Sequence, residues 1–503
     1  MLLRRFYDDQ LAQASYMVGC AATGEALIVD PNRDVEQYVA AAAAEGLRLT
    51  HVTETHIHAD FVSGTRELAH RTGATMYLSA TGDEAWQYRF PTADERAAGG
   101  ASAILLRDGD HFMVGNIRLD VRATPGHTPE HITFLVTDTA GADRPMGAFT
   151  GDFIFVGDVG RPDLLERAAG QADTMEASAH TLFRSLQRFR ELPDWLQLWP
   201  AHGAGSACGK ALGAVPQSTL GYEKLFNWGL AATDEAEFVR MVLDGQPEPP
   251  RYFAEMKRIN RDGPRVLGAA VHPPRLPGTE LHDVLEAGAL VVDLRPAQAF
   301  ATRHVPGTLN IPFNRSFTTW AGWLIPYDRD FHLVAPDDES ALAAARGLAL
   351  IGLDRLAGYF SGDALQAWVA GGRALEGVAQ LSVTELAALV SDGAVARGEV
   401  AVVDVRGAAE WEAGHLPDVP NVPVGLLPDH LDELPRDRPL VLHCQSGARA
   451  AIGASLLKRA GFQNVVSLTE GYAAWRDAGQ PVEREGTAAV TEDNDSGVPG
   501  VNG

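Results

Sequence analysis

Short apolar runs alternate with helical patterns along the first half of the chain. The runs EALIVDP, TMYLS, IRLDVRATP, HITFLVTD and GAFTGDFIF have the length and the β-branched or aromatic content of strands. The segments VEQYVAAAAAEG and HTLFRSLQRFREL have the apolar spacing of amphipathic helices. Strands interrupted by helices predict a layered α/β domain in this part of the chain.

Proline is concentrated between residues 245 and 280, where the chain reads QPEPPRYF, RDGPRV and VHPPRLPG. Proline at this density is typical of a boundary segment, because it interrupts both helices and sheets. We therefore predict that the first domain covers residues 1–262.

An internal repeat follows this boundary. Residues 290–312 read LVVDLRPAQAFATRHVPGTLNIP, and residues 401–423 read AVVDVRGAAEWEAGHLPDVPNVP. Both contain a buried strand, Asp-hydrophobic-Arg, a helical turn, His-hydrophobic-Pro and Asn-hydrophobic-Pro, which predicts two homologous α/β domains at residues 263–378 and 379–485. The remaining residues 486–503 are acidic and glycine-rich, and we expect them to be disordered.

Length and composition limit the function classes. A chain of 503 residues is too long for one core and, at roughly 150 residues per domain, fits about three domains. A net charge of −24 argues against binding to nucleic acid or to an anionic membrane surface. The three cysteines have no CxxC spacing, and no apolar run approaches the roughly 18 residues of a membrane span. We therefore expect a soluble protein of the reducing cytoplasm.

A candidate metal centre begins at THIHADF, directly after the strand-like run LRLTHVTE. His56, His58 and Asp60 alternate along the chain, so they converge on one ion only if the backbone turns at this point. Further ligand-type side chains also follow strand-like runs: His127, Asp152 and His202.

The THxHAD run, the TPGHTP turn and the GD after a strand resemble the metallo-β-lactamase fold over about residues 10 to 235. The resemblance implies an αββα sandwich with a metal at the strand ends. In two-metal hydrolases of this fold, such as glyoxalase II, a histidine follows the aspartate and binds the second metal. Phe61 stands at that position here, and since an apolar ring donates no electron pair, we expect one metal.

His56, His127 and Asp152 supply two imidazoles and one carboxylate, the set that leaves positions open for O2 on non-haem Fe(II). The stretch GDFIFVGDVGRPDL resembles the persulfide dioxygenases of this fold, whose mononuclear iron is held by residues that match these three. That resemblance also implies that Arg161 contacts the substrate, where a guanidinium suits a carboxylate.

The roles of the other ligand-type residues in this domain stay open. His58, Asp60 and His202 are candidates to support the ligands or to act as extra ligands. The chain has AHGAG where stand-alone glutathione persulfide enzymes have Asp and Tyr after the histidine, so the sequence leaves the identity of the thiol open. We interpret Cys208 as a small buried cysteine rather than a group that faces the metal.

A candidate nucleophile lies in the second repeat, in LVLHCQSGARAAIGASLLKRAG. Cys444 follows a buried strand and precedes a helix, where backbone amides, the helix dipole and Arg449 favour a thiolate. The Cys-x4-Arg loop is shorter than the Cys-x5-Arg loop of protein tyrosine phosphatases and fits a sulfane sulfur. About 100 residues around it resemble a rhodanese, which implies that Cys444 carries a persulfide; we interpret Asp404 and Arg406 as structural.

The first repeat lacks this chemistry. Ala335 or Pro336 stands at the position of the nucleophile, and no arginine occupies the matching loop position. We predict an inactive rhodanese-like domain that serves as a spacer or as a docking surface.

Together the three segments resemble fusions of a persulfide dioxygenase with rhodanese domains, over about residues 5 to 485. The resemblance implies oxidation of a thiol persulfide by O2 to sulfite at one Fe(II) per chain, with thiosulfate, persulfide and sulfite exchanged through Cys444. Two alternatives remain: a zinc-dependent thioester hydrolase like glyoxalase II, and a non-enzymatic persulfide carrier or sensor. The direction of sulfur flow and the oligomeric state, a homo-oligomer included, stay open.

Overall fold

The computed structural model describes residues 1–90, 102–167, 174–206, 208–210, 212–246, 248–268 and 271–484. The chain divides into two compact units, one formed by Met1–Pro296 with Ile311–Ala374 and the other by Ala297–Asn310 with residues from Leu375 onward. The segment that we expect to be disordered, residues 486–503, lies outside the described residues.

The first 262 residues form two mixed sheets with helices. The strands are β1 Leu2–Asp8, β2 Gln13–Cys20, β3 Glu25–Val29, β4 Arg48–Thr53, β5 Thr75–Ser79, β6 Ala103–Leu106, β7 His111–Val114, β8 Ile117–Ala123, β9 Ile132–Asp138, β10 Gly147–Gly151, β11 Gln197–Pro200 and β12 Ser218–Thr219. The helices are α1 Glu36–Ala44, α2 Thr65–Thr72, α3 Leu164–Arg167, α4 Met175–Phe189, α5 Leu220–Phe226, α6 Trp228–Ala231, α7 Glu235–Leu243 and α8 Tyr252–Asp262. The sheet orders are β1-β2-β3-β4-β5-β6 and β12-β11-β10-β9-β8-β7.

Alternation of side chains along each strand builds the layers. In β2, Tyr16 and Val18 lie in the apolar cluster shared by the two sheets, whereas Met17 lies in the cluster that includes residues of α1 and α2. In β9, Phe134 lies in the shared cluster, and Leu135 packs with residues of α4 and α7. Because successive side chains point to opposite faces, each sheet packs on the other sheet and on helices, which gives an αββα sandwich.

The remaining elements of the first unit belong mostly to the first repeat. They are α9 Leu281–Glu286, β13 Leu290–Asp293, α11 Phe317–Leu324, β15 Phe331–Val334, α12 Asp338–Leu350, β16 Leu356–Phe360 and α13 Ala364–Ala370. Strands β13, β15 and β16 are parallel neighbours in this order. Parallel strands joined by helices are typical of a doubly covered α/β sheet.

The second unit contains the second repeat and a short piece of the first. Its elements are α10 Ala297–Thr302, β14 Leu309–Asn310, β17 Ala379–Leu381, α14 Val383–Ser391, β18 Ala401–Asp404, α15 Ala408–Glu412, β19 Leu440–His443, α16 Ala448–Arg459, β20 Val465–Leu468 and α17 Gly471–Asp477. The parallel sheet of the second repeat has the order β17-β20-β19-β18.

The predicted fold class is confirmed, since the αββα sandwich is followed by α/β structure with parallel strands in both repeats. The strand-like runs named above correspond to β3, β5, β8, β9 and β10, and the two helical patterns to α1 and α4. The predicted division into three domains at residues 262, 378 and 485 stays a prediction. In the described part of the chain, no helix combines the length and the apolar character needed to cross a bilayer.

The shared cluster predicts one effect on stability. Phe134 is fully buried between the sheets, so Phe134→Ala should lower the free energy of unfolding by about 3–5 kcal/mol through the cavity that it leaves. Urea unfolding of the full chain measures the change. Leu105→Ala is the control, because Leu105 is 54% exposed on β6 and its loss should change the free energy by less than about 0.5 kcal/mol. Equal losses in the two variants would contradict the assignment of the core.

Candidate functional site

The ligand-type side chains lie in loops that follow strands. The loop after β3 carries Asp30, the loop after β4 carries His56, His58 and Asp60, and the loops after β8, β10 and β11 carry His127, Asp152 and His202. All seven side chains are buried. The two sheets therefore place polar groups from distant parts of the sequence at one edge of the sandwich.

Three of these residues form a first donor set. His56, His127 and Asp152 each offer one ligand atom, and the three atoms lie within 4.8 Å of one another. Nε2 of His127 is 3.5 Å from Oδ2 of Asp152, and Nε2 of His56 is 3.9 Å from the same oxygen. Two imidazoles and a carboxylate directed at one point match the facial set used by non-haem iron.

The opposite edges of both imidazoles are already held. Nδ1 of His127 is 2.9 Å from the carbonyl oxygen of Arg161, and since a carbonyl only accepts, Nδ1 carries the proton. The Thr55 hydroxyl donates to Oδ2 of Asp30 at 3.0 Å, so it accepts from Nδ1 of His56, which is also 3.0 Å away. Both rings therefore present an unprotonated Nε2 to the site.

The free edges fit a metal ion. Nε2 of His56 and both carboxylate oxygens of Asp152 are buried and accept no hydrogen bond from the described residues. Burial lowers the pKa of His56 well below its usual value, and burial also lowers the pKa of His127. Two buried neutral imidazoles beside a carboxylate whose oxygens accept no hydrogen bond from the described residues are a donor set that a divalent cation completes.

Two glycines permit these loops. Gly151, directly before Asp152, has φ +52, and a Cβ there would lie 2.4 Å from Oγ1 of Thr55. Gly126, directly before His127, has φ +148, and a Cβ there would lie 2.4 Å from the Cα of Leu182. Any larger residue at either position would push a ligand loop away from its neighbour.

A second donor set lies beside the first. Asp60, His202 and Cys208 offer ligand atoms within 4.8 Å of one another, and all three are buried. Nε2 of His202 is 3.2 Å from Oδ2 of Asp60 and 3.5 Å from Oδ1 of Asp152, while its Nδ1 faces the carbonyl oxygen of Ala12 at 3.0 Å. Burial raises the pKa of the Cys208 thiol to about 12. The sequence pattern singled out Asp60 and His202, and it favoured a small buried cysteine over a metal-facing one for Cys208; the thiol is buried, and it also lies beside these two ligand-type residues.

His58 belongs to neither donor set. Its Nε2 is 3.2 Å from Oδ1 of Asp30, and its ring lies 4.4 Å from the ring of Phe61. Burial alone would lower the pKa of His58, but the neighbouring carboxylates, Asp30 first, outweigh burial and raise it to about 9. The His58 ring nevertheless lies 4.2 Å from the His56 ring, so His58 sits directly beside the first donor set, paired with Asp30 and covered by Phe61.

Arg161 is buried and forms an ion pair with Asp163. Its side chain is 0% exposed, and its guanidinium donates to both carboxylate oxygens of Asp163, from Nε at 2.8 Å and from Nη2 at 2.7 Å. Its carbonyl oxygen orients His127, as described above. Substrate contact by Arg161 stays a prediction, and the Asp163 counter-ion, two residues further in GRPD, was not anticipated from the sequence.

Cys444 lies in the loop between β19 and α16. Its sulfur accepts a hydrogen bond of 3.1 Å from the backbone N–H of Gly447, which has φ +91. A Cβ at Gly447 would lie 2.2 Å from the carbonyl oxygen of Thr469. The loop therefore directs a backbone N–H at the sulfur, and only glycine fits at position 447.

Arg449 has a partner that the sequence pattern did not reveal. Its guanidinium binds Glu410 of α15 through both nitrogens, with Nη2 donating to Oε1 at 2.8 Å. Burial would raise the pKa of Glu410, but the pairing with Arg449 outweighs burial and lowers it. Asp404 and Arg406 form a separate buried bidentate pair, with Nη2 donating to Oδ2 at 2.7 Å.

The equivalent loop of the first repeat has no nucleophile. Ala335 and Pro336 follow β15 as Cys444 follows β19, and both strands are parallel neighbours of the strand that ends in the repeated aspartate. The N–H of Ala335 donates to the carbonyl oxygen of Phe360 within its own sheet. This loop offers no side chain for thiolate chemistry.

Comparison with known proteins agrees with this architecture. Residues 8–202 match the family profile of the metallo-beta-lactamase superfamily, and residues 382–478 match the rhodanese-like domain. A crystal structure of a metallo-beta-lactamase from Staphylococcus aureus subsp. aureus COL is 42% identical, covers 72% of this chain and 99% of that chain, and has a TM-score of 0.63.

Two of the curated relatives illustrate the range of names in this family. A beta-lactamase hydrolase-like protein of Xylella fastidiosa is 30% identical over 54% of this chain and 62% of its own length. The mitochondrial persulfide dioxygenase ETHE1 of Bos taurus is 29% identical over 48% of this chain and 80% of its own length. The chain thus spans about 62% of the length of the Xylella proteins. From the profile match and the Staphylococcus structure, the chain belongs to the metallo-beta-lactamase superfamily and carries a rhodanese-like domain in addition.

Proposed function

We propose that the chain is an enzyme of sulfur metabolism that oxidises a thiol persulfide with O2 at one non-haem iron and transfers sulfane sulfur through Cys444. The observation that carries the proposal is the donor set of His56, His127 and Asp152, in which Nε2 of His56 and both carboxylate oxygens of Asp152 are buried and find no hydrogen-bond partner among the described residues. The likeness to a persulfide dioxygenase and to a rhodanese-like domain supports sulfur compounds as substrates.

Iron(II) bound by these three groups would supply the redox chemistry that lets O2 react with a persulfide sulfur. The balanced reaction converts one persulfide RSSH, one O2 and one water into the thiol RSH, sulfite and two protons. The outer sulfur is oxidised, its bond to the inner sulfur breaks, and the inner sulfur leaves as the thiol.

The chain's own residues prepare this site. The Arg161 carbonyl and the Thr55 hydroxyl fix the two imidazoles, so the donor atoms need no reorganisation when the metal binds. Phe61 and Phe155, both almost fully buried beside the histidines, form an apolar wall. Exclusion of water protects a reactive persulfide from side reactions before it is oxidised.

At Cys444 we propose transfer of sulfane sulfur. The thiolate attacks the outer sulfur of thiosulfate, a new S–S bond forms, and sulfite leaves with the electron pair of the broken bond. A thiol then takes the sulfur as a persulfide and restores the Cys444 thiolate. The Gly447 N–H and Arg449 stabilise the anionic sulfur in both steps. A reducing, cytoplasmic setting is part of the proposal because free thiols are needed.

The second candidate is a binuclear zinc hydrolase. The set of Asp60, His202 and Cys208 favours it, because these residues offer a second group of ligand atoms beside the first. In that case a metal-activated water would attack a thioester. The two candidates differ in metal number, metal identity and oxygen consumption, which makes them separable by direct assay.

Asp152→Asn should remove iron and oxidation together. The amide keeps the shape but loses the anionic donor, so bound iron and the rate of persulfide-dependent O2 uptake should both fall by about 100-fold or more. Metal analysis measures the bound iron, and an oxygen electrode measures the rate of O2 uptake. Several small thiol persulfides, including glutathione persulfide, serve as substrates in the oxygen assay. Asp120→Asn on β8 is the control and should keep both. Two zinc ions per wild-type chain, with thioester hydrolysis and no O2 uptake, would support the hydrolase instead.

Cys444→Ser should separate the two activities. Loss of the nucleophile should lower thiosulfate-to-thiol sulfur transfer by at least about 1,000-fold, as expected for a residue that forms the covalent intermediate. Oxidation of an added persulfide should stay near the wild-type rate. Cys20→Ser serves as the control, and sulfur transfer that survives in the Cys444 variant would show that another cysteine is the nucleophile.

A shared persulfide pool should couple the activities. With thiosulfate and a catalytic amount of thiol, the wild-type chain should consume O2, because Cys444 continually regenerates the persulfide. Cys444→Ser should stop this thiosulfate-driven uptake and spare uptake driven by a preformed persulfide. Thiosulfate-driven uptake at an unchanged rate in Cys444→Ser would refute the coupling.

A further inference from the structure

The loop that carries His56 contacts the first, nucleophile-free repeat directly. The N–H of Val62 donates to the carbonyl oxygen of Leu350 at 2.7 Å, and Leu350 is the last residue of α12. A Cβ on Gly352, which follows α12, would lie 3.1 Å from the side chain of Val62. The end of α12 therefore packs against a position six residues after the metal ligand.

A buried arginine makes a second contact with the same helix end. The Arg33 side chain is 2% exposed and donates to both carboxylate oxygens of Asp354, from Nη1 at 2.6 Å and from Nη2 at 2.9 Å. Nη1 also donates to the carbonyl oxygen of Ala349 at 3.2 Å, and Nη2 to that of Arg265 at 2.6 Å. A bidentate pair of this kind fixes both position and orientation.

Arg33 is linked through its neighbours to the metal ligand. Asp30 accepts hydrogen bonds from the N–H of Thr55 at 2.7 Å and from its hydroxyl at 3.0 Å, and the same hydroxyl holds Nδ1 of His56. Asn32 and Ser63 form an isolated antiparallel β-bridge between their backbones, and the N–H of Gly64 donates to the carbonyl oxygen of Pro31 at 2.7 Å. The loop before α1 and the loop after β4 are thus joined side by side.

Asn260 of α8 completes the support from within the sandwich domain. Its side-chain amide donates to the carbonyl oxygens of His58 at 2.8 Å and Phe61 at 2.7 Å, and its oxygen accepts from the N–H of Ser63 at 2.9 Å. The His56 loop has no regular secondary structure of its own. Hydrogen bonds from Asn260 and from the loop before α1 hold it in place instead.

We propose that the first repeat acts as a positioning element for the metal ligand His56, through the Arg33–Asp354 pair and the Val62–Leu350 hydrogen bond. Two residues of the sandwich domain, Arg33 and Val62, are the points of attachment. The repeat carries no nucleophile in the loop after β15 but supplies the end of α12 as a fixed support. This inference rests on the metal site of the proposed function. The sequence left the role of the repeat open between a spacer and a docking surface, and the inference gives it a specific role.

The physical consequence is reciprocal coupling. If the end of α12 stabilises the ligand-competent form of the His56 loop, metal binding must stabilise the end of α12 by the same factor. A spacer that merely lies beside the loop would show neither effect. The coupling is a property of binding, so it can be measured without persulfide, O2 or turnover.

Hydrogen exchange of the full-length wild-type chain tests the reciprocity. Co(II) added to the metal-free chain should slow exchange of the Gly352 and Leu353 amides, which bond to Ala349 and Leu348, by about fivefold or more. The amide of Tyr359, bonded to Pro274 elsewhere in the repeat, is the internal control and should not change. Slowing at the end of α12 supports the proposal, and protection confined to the ligand loops overturns it.

Variants test the same link from the other side. Asp354→Asn should weaken Co(II) binding by about 10- to 100-fold and shift the visible absorption bands of bound Co(II), which report its coordination geometry. Arg71→Gln, which breaks the exposed Arg71–Glu36 pair, is the matched control and should leave both unchanged. Wild-type affinity and spectrum in Asp354→Asn would overturn the proposal.

A double variant separates positioning from loss of fold. Arg33→Met with Asp354→Leu removes both charges, so no buried charge is left unpaired and the fold should tolerate it. Co(II) affinity should stay low in this variant. Recovery to the wild-type affinity would show that Asp354→Asn acted only through the unpaired charge of Arg33, and it would overturn the inference. A chain that binds Co(II) with this coupling but consumes no O2 would refute the dioxygenase proposal alone, whereas a chain that binds no Co(II) would refute both.

Discussion

Burial of unpartnered metal-ligating atoms is the constraint on which the site depends. A buried polar atom without a hydrogen bond costs about 1–3 kcal/mol, and an unpaired carboxylate costs more. His56 and Asp152 present such atoms to one point, while Thr55 and the Arg161 carbonyl hold the opposite edges of the imidazoles. The sandwich can retain this arrangement because a cation compensates for it when bound. The glycines at positions 126 and 151 then follow as the residues that let the ligand loops approach closely.

Local pattern was enough to predict much of this molecule. The strand-like runs and the two helical patterns are confirmed because side-chain alternation and helical spacing are properties of short segments. The partners of individual side chains were not predictable, since they depend on loops brought together from distant positions. Asp30 holds His58, and Cys208 joins Asp60 and His202. No spacing rule links these pairs along the sequence.

The two repeats show how one scaffold serves two purposes. In the second repeat the strand-to-helix loop carries Cys444. The helix that follows this loop is tied to α15 by the Glu410–Arg449 ion pair. In the first repeat the same loop carries Ala335 and Pro336, yet the end of its following helix, α12, makes the contacts with the metal-ligand loop. A loop without a nucleophile is therefore compatible with the proposed positioning role at the other end of the adjacent helix. Sequence comparison of the repeats detects the first change but not the second.

The position of the metal tests the central claim most directly. Crystals of the iron-loaded chain, with diffraction recorded on both sides of the iron absorption edge, would locate iron by its anomalous scattering. The account predicts one iron peak per chain, within bonding distance of Nε2 of His56, Nε2 of His127 and a carboxylate oxygen of Asp152. A peak between Asp60, His202 and Cys208, alone or in addition to the first, would contradict a single iron held by His56, His127 and Asp152.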